Sequence, residues 1–279
     1  MLSIKEKPEI FRKAYELANV NMVPKKFYKD ITINNINVRI FNDVSKKVIV
    51  YLHGGGFVVG SVNTHSNICY KISKYLDAKV ISIDYSLAPE KKFPCQLQEI
   101  SFICKEILNE YKDVSIMGDS AGANLAFATN LLLKNKFKNI IMVYPCTQTN
   151  YTSSTKFKSV IKNSAKSTLT KESLRDYMSL YLKKQKDYNN KYVNLLKNNW
   201  LFKCPRTIII TGTCDPLHDE GVELKNKLER FKVEVHHLDI INAKHGFLTR
   251  ISDNKNTLET LDFIKMYLWN ICNFDILKI

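Results

Sequence analysis

The feature that most limits how this chain can fold is a series of continuous apolar, β-branched segments that alternate with amphipathic helical patterns. Strands covered on both faces have such unbroken apolar runs, whereas strands with one face in water alternate polar and apolar residues. This alternation predicts an α/β protein with a mostly parallel sheet and helices on both faces. The predicted strands lie at 47–52, 78–85, 113–118, 139–145, 206–212 and 233–239, and the predicted helices at about 64–76, 95–111, 121–134, 220–231 and 255–271.

The length of the chain fits one domain. At 279 residues with 45% hydrophobic residues, it can bury one large core, and α/β proteins of this size often remain a single domain. Residues 31–41, ITINNINVRIF, predict a β-hairpin with Asn34 and Asn35 at its turn, ahead of the parallel strands. We therefore expect a single domain over residues 1–279.

Residues 146–205 interrupt the alternation because they contain no strand pattern. A connection of this length inside a compact domain is usually a lid or an inserted subdomain, and the segment TKESLRDYMSLYL within it begins with an N-cap signature. We expect residues 146–205, together with residues 1–25 and a helix near 8–19, to form a cap over the carboxyl edge of the sheet. The alternative is a partly disordered polar segment.

The net charge of +15 raises the question of an anionic partner. Of the 42 basic residues, 36 are lysine and six are arginine, and they are scattered along the chain. Arginine binds bases and phosphates through paired hydrogen bonds, so its scarcity argues against a nucleic-acid partner. A general bias toward Lys, Asn and Ile, of the kind that an A·T-rich genome imposes, explains the charge without any partner.

The seven cysteines are odd in number and widely spaced, with no C-x-x-C pair. This pattern argues against a disulfide framework and against a zinc site. No segment approaches the roughly 20 apolar residues of a membrane span, and the first 20 residues lack the apolar stretch of a signal peptide. We expect a soluble, cytoplasmic protein without stable membrane insertion.

The pentapeptide GDSAG, residues 118–122, carries a catalytic motif. It is a G-x-S-x-G that directly follows a strand pattern and directly precedes a helix pattern. The turn between such a strand and helix is so sharp that a side chain on either glycine would clash, and it holds the serine in a strained conformation with its hydroxyl exposed. Ser120 is therefore the candidate nucleophile; a plain glycine-rich turn is the alternative.

A serine hydroxyl needs a base, and the base needs an orienting acid. Where this motif carries a nucleophile, the acid and then the histidine follow in later loops, each after a strand. Asp215 stands three residues after a predicted strand, and His245 stands in the loop after the next one. The rival acid Asp219 is better placed as the N-cap of the following helix. His236 and His237 fall inside a predicted strand.

Three of the nine glycines are adjacent, in the sequence HGGGF. Attack on an acyl carbon creates an oxyanion, and prealigned backbone N–H groups that stabilise it are usually the largest electrostatic contribution to catalysis. One donor comes from the residue after the nucleophile, and the others from the loop that contains these glycines. The candidate oxyanion hole is Gly54, Gly55, Gly56 and Ala121. A phosphate-binding loop is the rival, but the chain lacks its G-x-x-x-x-G-K-[ST] or G-x-G-x-x-G pattern.

Five short motifs occur in a characteristic order: HGGGF at 53–57, DYSLAPE at 84–90, GDSAGAN at 118–124, DPLHDEG at 215–221 and HGF at 245–247. Together they resemble the signature set of the hormone-sensitive-lipase group of α/β-hydrolases, carboxylesterases that include arylacetamide-deacetylase-like enzymes. The motifs span roughly residues 47–250, most of the chain. The resemblance implies an α/β-hydrolase fold with an eight-stranded sheet, one antiparallel strand and a helical cap, and the hydrolysis of small acyl esters without a cofactor.

The resemblance also implies roles for individual residues. Ser120 corresponds to the nucleophile, Asp215 to the acid and His245 to the base, with Gly55 and Gly56 preferred among the oxyanion donors. The chain departs from the family pattern at Ser86, where arginine is common, so any ion pair of that arginine is absent or replaced. The cap sequence matches nothing that identifies a substrate.

The sequence therefore predicts a serine carboxylesterase that acts on short-chain or small aromatic acyl esters. The same machinery would serve an amidase, a formamidase or a deacetylase of a small metabolite. A ligand-binding pseudo-hydrolase is the alternative without catalysis, and the presence of His245 argues against it. We expect a small-molecule ester as the partner, no nucleic acid, and a possible homodimer.

Overall fold

One eight-stranded sheet organises the chain in the computed structural model, which describes residues 3–20 and 22–268. The order across the sheet is β1-β2-β4-β3-β5-β6-β7-β8. Strand β2 is antiparallel to both of its neighbours, and the other strand pairs are parallel. The strands are β1 (Tyr28–Ile33), β2 (Ile36–Phe41), β3 (Val48–Leu52), β4 (Lys79–Ile83), β5 (Val114–Asp119), β6 (Asn139–Val143), β7 (Arg206–Gly212) and β8 (Val235–Ile240).

The predicted hairpin at the start of the sheet is confirmed. Asn34 and Asn35 have φ angles of 50° and 61°, the left-handed values that a two-residue hairpin turn requires and that asparagine tolerates better than most residues. The turn sets the register of β1 against β2, with Ile33 opposite Ile36.

Helices cover both faces of the sheet, as the uninterrupted apolar strands predict. In β3, Val48, Val50 and Leu52 join one buried cluster, while Ile49 and Tyr51 join the other. Helices α3, α4 and α7 contribute side chains to the first cluster, and α2 and α8 to the second. The helices are α1 (Pro8–Ala18), α2 (Ser66–Tyr75), α3 (Cys95–Glu110), α4 (Ala121–Leu132), α5 (Lys158–Lys162), α6 (Lys171–Tyr181), α7 (His218–Arg230) and α8 (Asn254–Leu268). The last predicted residues of α8, 269–271, lie outside the described part of the chain.

The interval 146–205 contains α5, α6 and short 3-10 turns, and no strand. The side chain of Thr170 accepts a hydrogen bond from the Ser173 N–H (3.1 Å), and the Ser173 hydroxyl accepts one from the Thr170 N–H (2.9 Å), so the predicted N-cap of α6 is confirmed. The Tyr181 ring of α6 stacks on Phe57 at a centroid distance of 3.9 Å. This contact joins the interval to the loop that follows β3.

Across residues 3–20 and 22–268, no helix is both long and apolar enough to cross a membrane.

The turn from β5 into α4 brings backbone into close contact with β3. A Cβ atom on Gly122 would lie 2.0 Å from the Leu52 carbonyl oxygen and 2.5 Å from the His53 carbonyl oxygen. Both atoms belong to the backbone of the central sheet, so they cannot move aside cheaply. Glycine at this position therefore allows α4 to pack directly against the end of β3.

We expect Gly122→Ala to lower the free energy of unfolding by about 3 kcal/mol, because the added methyl group forces apart two backbone segments of the core. Urea unfolding followed by circular dichroism measures the change. Gly221→Ala in α7 is the matched control, since a Cβ there meets the Thr211 methyl group at 2.7 Å but no backbone, and alanine gains helix propensity. Equal losses in the two variants would contradict this account of the turn.

Candidate active site

Ser120 occupies the sharp turn between β5 and α4. Its φ of 53° and ψ of −118° are strained values for a residue with a side chain. The Ser120 N–H donates to the Val143 carbonyl (2.9 Å), which anchors the turn to the neighbouring strand. The turn is possible because Gly118 has no Cβ, which would lie 2.4 Å from the Gly122 carbonyl carbon. Ser120 lines a cavity of about 1020 Å³ between the sheet and the cap interval.

The structure brings the two predicted partners of Ser120 to it. His245 Nε2 lies 3.0 Å from Ser120 Oγ, and His245 Nδ1 lies 2.7 Å from Asp215 Oδ2. Because a carboxylate can only accept hydrogen bonds, Nδ1 carries the proton. Nε2 is then free to accept a hydrogen bond from the serine hydroxyl. The other carboxylate oxygen of the buried Asp215 accepts from the Leu217 N–H (2.8 Å), which fixes its direction.

Three further residues hold this series in place, and the sequence alone did not identify them. Arg250 donates through Nη2 to the His245 carbonyl (2.7 Å). The ring of Tyr144 meets the His245 ring edge to face at a centroid distance of 4.8 Å. From the cap interval, Asn163 Nδ2 donates to the Asp215 carbonyl (2.9 Å). No short motif links such residues to the site, because their spacing follows from the tertiary fold.

The competing acid and histidines lie elsewhere. Asp219 is in the first turn of α7, whose N-cap is Leu217, so the prediction of Asp219 as N-cap was wrong. The helix begins two residues earlier than its apolar pattern indicates, and the Asp219 carboxylate instead accepts from the Ser159 N–H (2.8 Å). His236 and His237 lie within β8, as predicted.

The three glycines after β3 differ in what their N–H groups contact. Gly54 donates to Asp119 Oδ1 (2.9 Å) and is not among the residues that line the cavity. Gly55 and Gly56 line the cavity, with φ angles of 121° and 60° that favour glycine. Within the described residues, the N–H groups of Gly55, Gly56 and Ala121 have no hydrogen-bond acceptor. These three donors are free beside Ser120.

The cap interval explains why position 56 is glycine. A Cβ on Gly56 would lie 2.3 Å from the ring of Tyr177 in α6. The phenol therefore packs directly on the backbone of the glycine loop. Burial raises the pKa of Tyr177 to about 12.

Asp119, the second residue of the GDSAG motif, links β5 to the glycine loop. Besides the Gly54 N–H, its buried carboxylate accepts from the Tyr51 hydroxyl (2.7 Å) and lies 3.5 Å from the buried His65 Nε2. Burial by itself would raise the pKa of Asp119, but His65 and the Tyr51 hydrogen bond hold it below its ordinary value. Burial, aided by the neighbouring His65, lowers the pKa of His53 to about 3.

The position where the family commonly has arginine is occupied by a neutral substitute. Ser86 donates to the Glu99 carboxylate from its N–H (2.9 Å) and from its hydroxyl (2.7 Å). Two hydrogen bonds thus satisfy the carboxylate without a positive charge. A different arginine, Arg12 of α1, binds Glu90 of the same DYSLAPE segment through both of its terminal nitrogens, at 2.6 and 2.8 Å. Its Nε also donates to the Val58 carbonyl (2.7 Å) and ties α1 to the glycine loop.

A second buried carboxylate joins α7 to the start of the cap interval. Glu220 accepts from the Thr147 N–H (2.6 Å), the Gln148 side-chain amide (3.0 Å) and the Tyr151 hydroxyl (3.1 Å). The hydrogen bonds from these donors lower the pKa of Glu220, but the effect of complete burial is larger and raises it to about 8. Among the described residues, no group of three or more His, Cys, Asp or Glu is arranged to hold a metal ion.

Comparison with known proteins relates this geometry to a family. A family model described as alpha/beta hydrolase fold matches residues 49–249. Acetyl esterases of Salmonella schwarzengrund and Salmonella typhi are each 28% identical over 226 residues, which cover 77% of this chain and 70% of theirs.

Solved structures agree with this match. An esterase of the archaeon Pyrobaculum calidifontis superposes with a TM-score of 0.85 at 26% identity, covering 95% of this chain and 94% of its own. A thermophilic carboxylesterase cloned from a metagenomic library superposes with a TM-score of 0.84 at 25% identity, covering 95% of this chain and 98% of its own.

We expect the stability of the protein to fall between about pH 4.5 and pH 8 because of Glu220. Its raised pKa means that the folded state keeps a proton that the unfolded state releases, so the contribution is complete below the unfolded pKa and is lost as the pH rises through the folded one. Glu220→Gln should remove this dependence. The slopes of unfolding free energy against pH should then differ between the variant and the wild type by up to about 1.4 kcal/mol per pH unit.

Chemical unfolding at a series of pH values measures this slope. Glu223→Gln is the control, because Glu223 lies on the same helix but forms surface ion pairs with Lys156 and Arg230. If the wild type and Glu220→Gln lost stability in parallel over this range, the assignment of the slope to Glu220 would be refuted.

Proposed function

Because this chain belongs to the alpha/beta hydrolase fold family, in its hormone-sensitive-lipase-like group, and is an ester-hydrolysing enzyme, we propose that it is a serine carboxylesterase of short-chain or small aromatic acyl esters. One observation carries the proposal: Asp215, His245 and Ser120 form a continuous hydrogen-bonded series that ends at a cavity. A serine in that position is activated by the base beside it.

The first half of the proposed reaction acylates the enzyme. Ser120 Oγ attacks the ester carbonyl carbon while its proton passes to His245 Nε2, and the carbonyl oxygen becomes an oxyanion. Asp215 stays ionised and stabilises the imidazolium. When the tetrahedral intermediate collapses, the bond to the alkoxy oxygen breaks and His245 returns the proton to that oxygen. The alcohol leaves, and the acyl group remains on Ser120.

The second half regenerates the serine. A water molecule gives its proton to His245 and attacks the acyl carbon, and a second oxyanion forms and collapses. The bond to Ser120 Oγ breaks, the proton returns to that oxygen, and the carboxylic acid leaves. The cycle needs no other reactant than water.

We assign the oxyanion to the free N–H groups of Gly55, Gly56 and Ala121. They line the cavity beside Ser120 and have no other acceptor among the described residues. Gly54 is left out of this assignment because its N–H already donates to Asp119. Each donor of this kind is worth about 3 to 4 kcal/mol in the transition state.

The proposed preference for small acyl groups rests on the relatives and on the packing around the glycine loop. The Salmonella relatives are acetyl esterases. The Tyr177 ring covers Gly56 so closely that no side chain fits between them. A bulky acyl group placed against Gly56 would have to displace that ring. The small-molecule ester as partner stays a prediction, and so does the possible homodimer.

Ser120→Ala and His245→Ala should each reduce kcat/KM for p-nitrophenyl acetate by about 10⁴-fold or more, because members of a triad act as a unit. The wild type should release p-nitrophenol in a burst equal to the enzyme concentration if deacylation is slower than acylation. Stopped-flow absorbance measures both quantities. Ser153→Ala, at an exposed position of the cap interval, and His236→Ala in β8 are the controls. A Ser120→Ala protein with full activity would exclude this mechanism.

A series of substrates distinguishes the proposed esterase from the alternatives with the same machinery. We expect p-nitrophenyl acetate and butyrate to be hydrolysed with a kcat/KM at least about tenfold above that for the octanoate, since poor accommodation of added methylenes costs transition-state binding. The matched acetanilide and formanilide should react more slowly than the acetate ester. Preference for the anilides would instead identify an amidase or formamidase.

A further inference from the structure

The end of the sheet opposite the catalytic serine carries two adjacent loops. Residues 131–138 lead into β6, and residues 197–206 lead into β7, its parallel neighbour. Cys204 Sγ lies 3.7 Å from Asn135 Oδ1, so the two loops are in contact. From their exposed residues we define the amino-edge patch as Lys134, Lys136, Lys197, Trp200, Phe202 and Lys203.

The patch exposes two large aromatic side chains. Trp200 is 78% exposed and Phe202 is 53% exposed, with their ring centroids 5.8 Å apart. Leu201 between them is fully buried and anchors the loop to the core. The aromatic rings are thus held outward by a fixed backbone. Neighbouring exposed apolar side chains of this size mark an interaction surface more often than isolated ones.

The charge around these rings has one sign. Residues 131–138 and 197–206 contain no aspartate or glutamate. Within the described part of the chain, no carboxylate lies within 4.0 Å of the four patch lysines. The charges of Lys134, Lys136, Lys197 and Lys203 are therefore not neutralised by an ion pair with any described residue, and these side chains are exposed.

The neighbouring cations at the border of the patch behave differently. Lys138 pairs with Asp113 (3.2 Å), and Arg206 pairs with Glu234 (2.7 Å). Burial, with help from Arg230 and Lys197 nearby, lowers the pKa of Lys227. The positive potential of the patch therefore comes from free lysines rather than from arginines.

The patch is remote from the proposed chemistry. Ser120 follows the carboxyl end of β5, whereas both loops precede the amino ends of β6 and β7. Strands of five to seven residues separate the two edges by roughly 20 Å at about 3.3 Å per residue. No patch residue lines the cavity that contains Ser120, so binding of an ester in that cavity does not explain the exposed rings.

We propose that the amino-edge patch binds the surface of membranes that contain anionic phospholipid. Tryptophan prefers the boundary between headgroups and acyl chains, where its ring is in contact with apolar groups and its N–H with water. Lysines beside it attract a negatively charged leaflet, and one or two inserted rings add the apolar contact that holds a peripheral protein. In this orientation the cavity faces away from the membrane and stays open to esters in solution.

A nucleic-acid ligand fits the patch less well. Arginine makes most of the paired contacts to phosphates and bases, and the arginine nearest to the patch, Arg206, is already paired with Glu234. The rings of Trp200 and Phe202 are tilted by 59° to each other, which does not suit stacking on successive parallel bases. A lipid surface requires neither parallel rings nor paired hydrogen bonds.

Vesicle binding tests the proposal. The chain contains two tryptophans, so in a Trp269→Phe protein the fluorescence reports Trp200 alone. With vesicles of about one third phosphatidylglycerol in phosphatidylcholine, we expect co-sedimentation and a blue shift of the Trp200 emission, both decreasing as salt is raised. Vesicles of pure phosphatidylcholine should bind at least about tenfold more weakly.

Variants separate the contribution of the rings from that of the lysines. Trp200→Ser with Phe202→Ser, and the quadruple replacement of the patch lysines by glutamine, should each weaken binding at least about tenfold. The matched charge control replaces four exposed lysines of the cap interval by glutamine: Lys158, Lys162, Lys183 and Lys186. It should bind the anionic vesicles like the wild type. All variants should keep the wild-type rate on a soluble ester, which verifies that they fold.

Three results would overturn the proposal. The first is no binding to anionic vesicles at an ionic strength of about 0.1 M. The second is equal weakening by the patch and control quadruple variants, which would indicate a general charge effect. The third is tighter, patch-dependent binding to single-stranded DNA, or a patch-dependent dimer in analytical ultracentrifugation, because either would assign the rings to another partner.

Discussion

The buried carboxylate of Asp119 connects the parts of the site that must keep a fixed distance. It belongs to β5, directly before Ser120, and it accepts the N–H of Gly54 at the start of the glycine loop. A single residue, Asp119, therefore fixes the loop with the free N–H groups relative to Ser120. Because the carboxylate is buried, it depends on Tyr51 and His65 to stay ionised. The strained serine and the glycine loop thus share one polar support.

Other contacts attach the first helix and residues 146–205 to the rest of the site. Glu220 joins α7, just after Asp215, to the first residues of the cap interval. Arg12 joins α1 to the glycine loop and to Glu90. Tyr177 packs on the loop from above. The hydrogen bonds of Glu220 and Arg12 are directional, so they fix the positions of these segments more sharply than apolar packing alone would.

Local patterns were sufficient to predict the sheet, the hairpin and the grouping of Ser120, Asp215 and His245. Strands buried on both faces have a recognisable composition, and a nucleophile turn leaves two glycines at a fixed spacing. The start of α7 was misplaced because Asp219 has the chemistry of an N-cap. Its carboxylate is instead used by Ser159, a contact between segments 60 residues apart in sequence.

The sequence by itself determined the order of strands and helices and the residue types at the turn, because backbone sterics act over a few neighbouring residues. It also contained the lysines and the aromatic pair of the amino-edge patch, but as separate segments. Only the tertiary structure decided which glycine N–H groups stay free, because Asp119 accepts the N–H of Gly54. It also decided that Ser86 donates to Glu99. In the same way, it brought residues 131–138 into contact with residues 197–206. Those outcomes depend on distances between residues far apart in the chain, and such distances exist only once the core has packed.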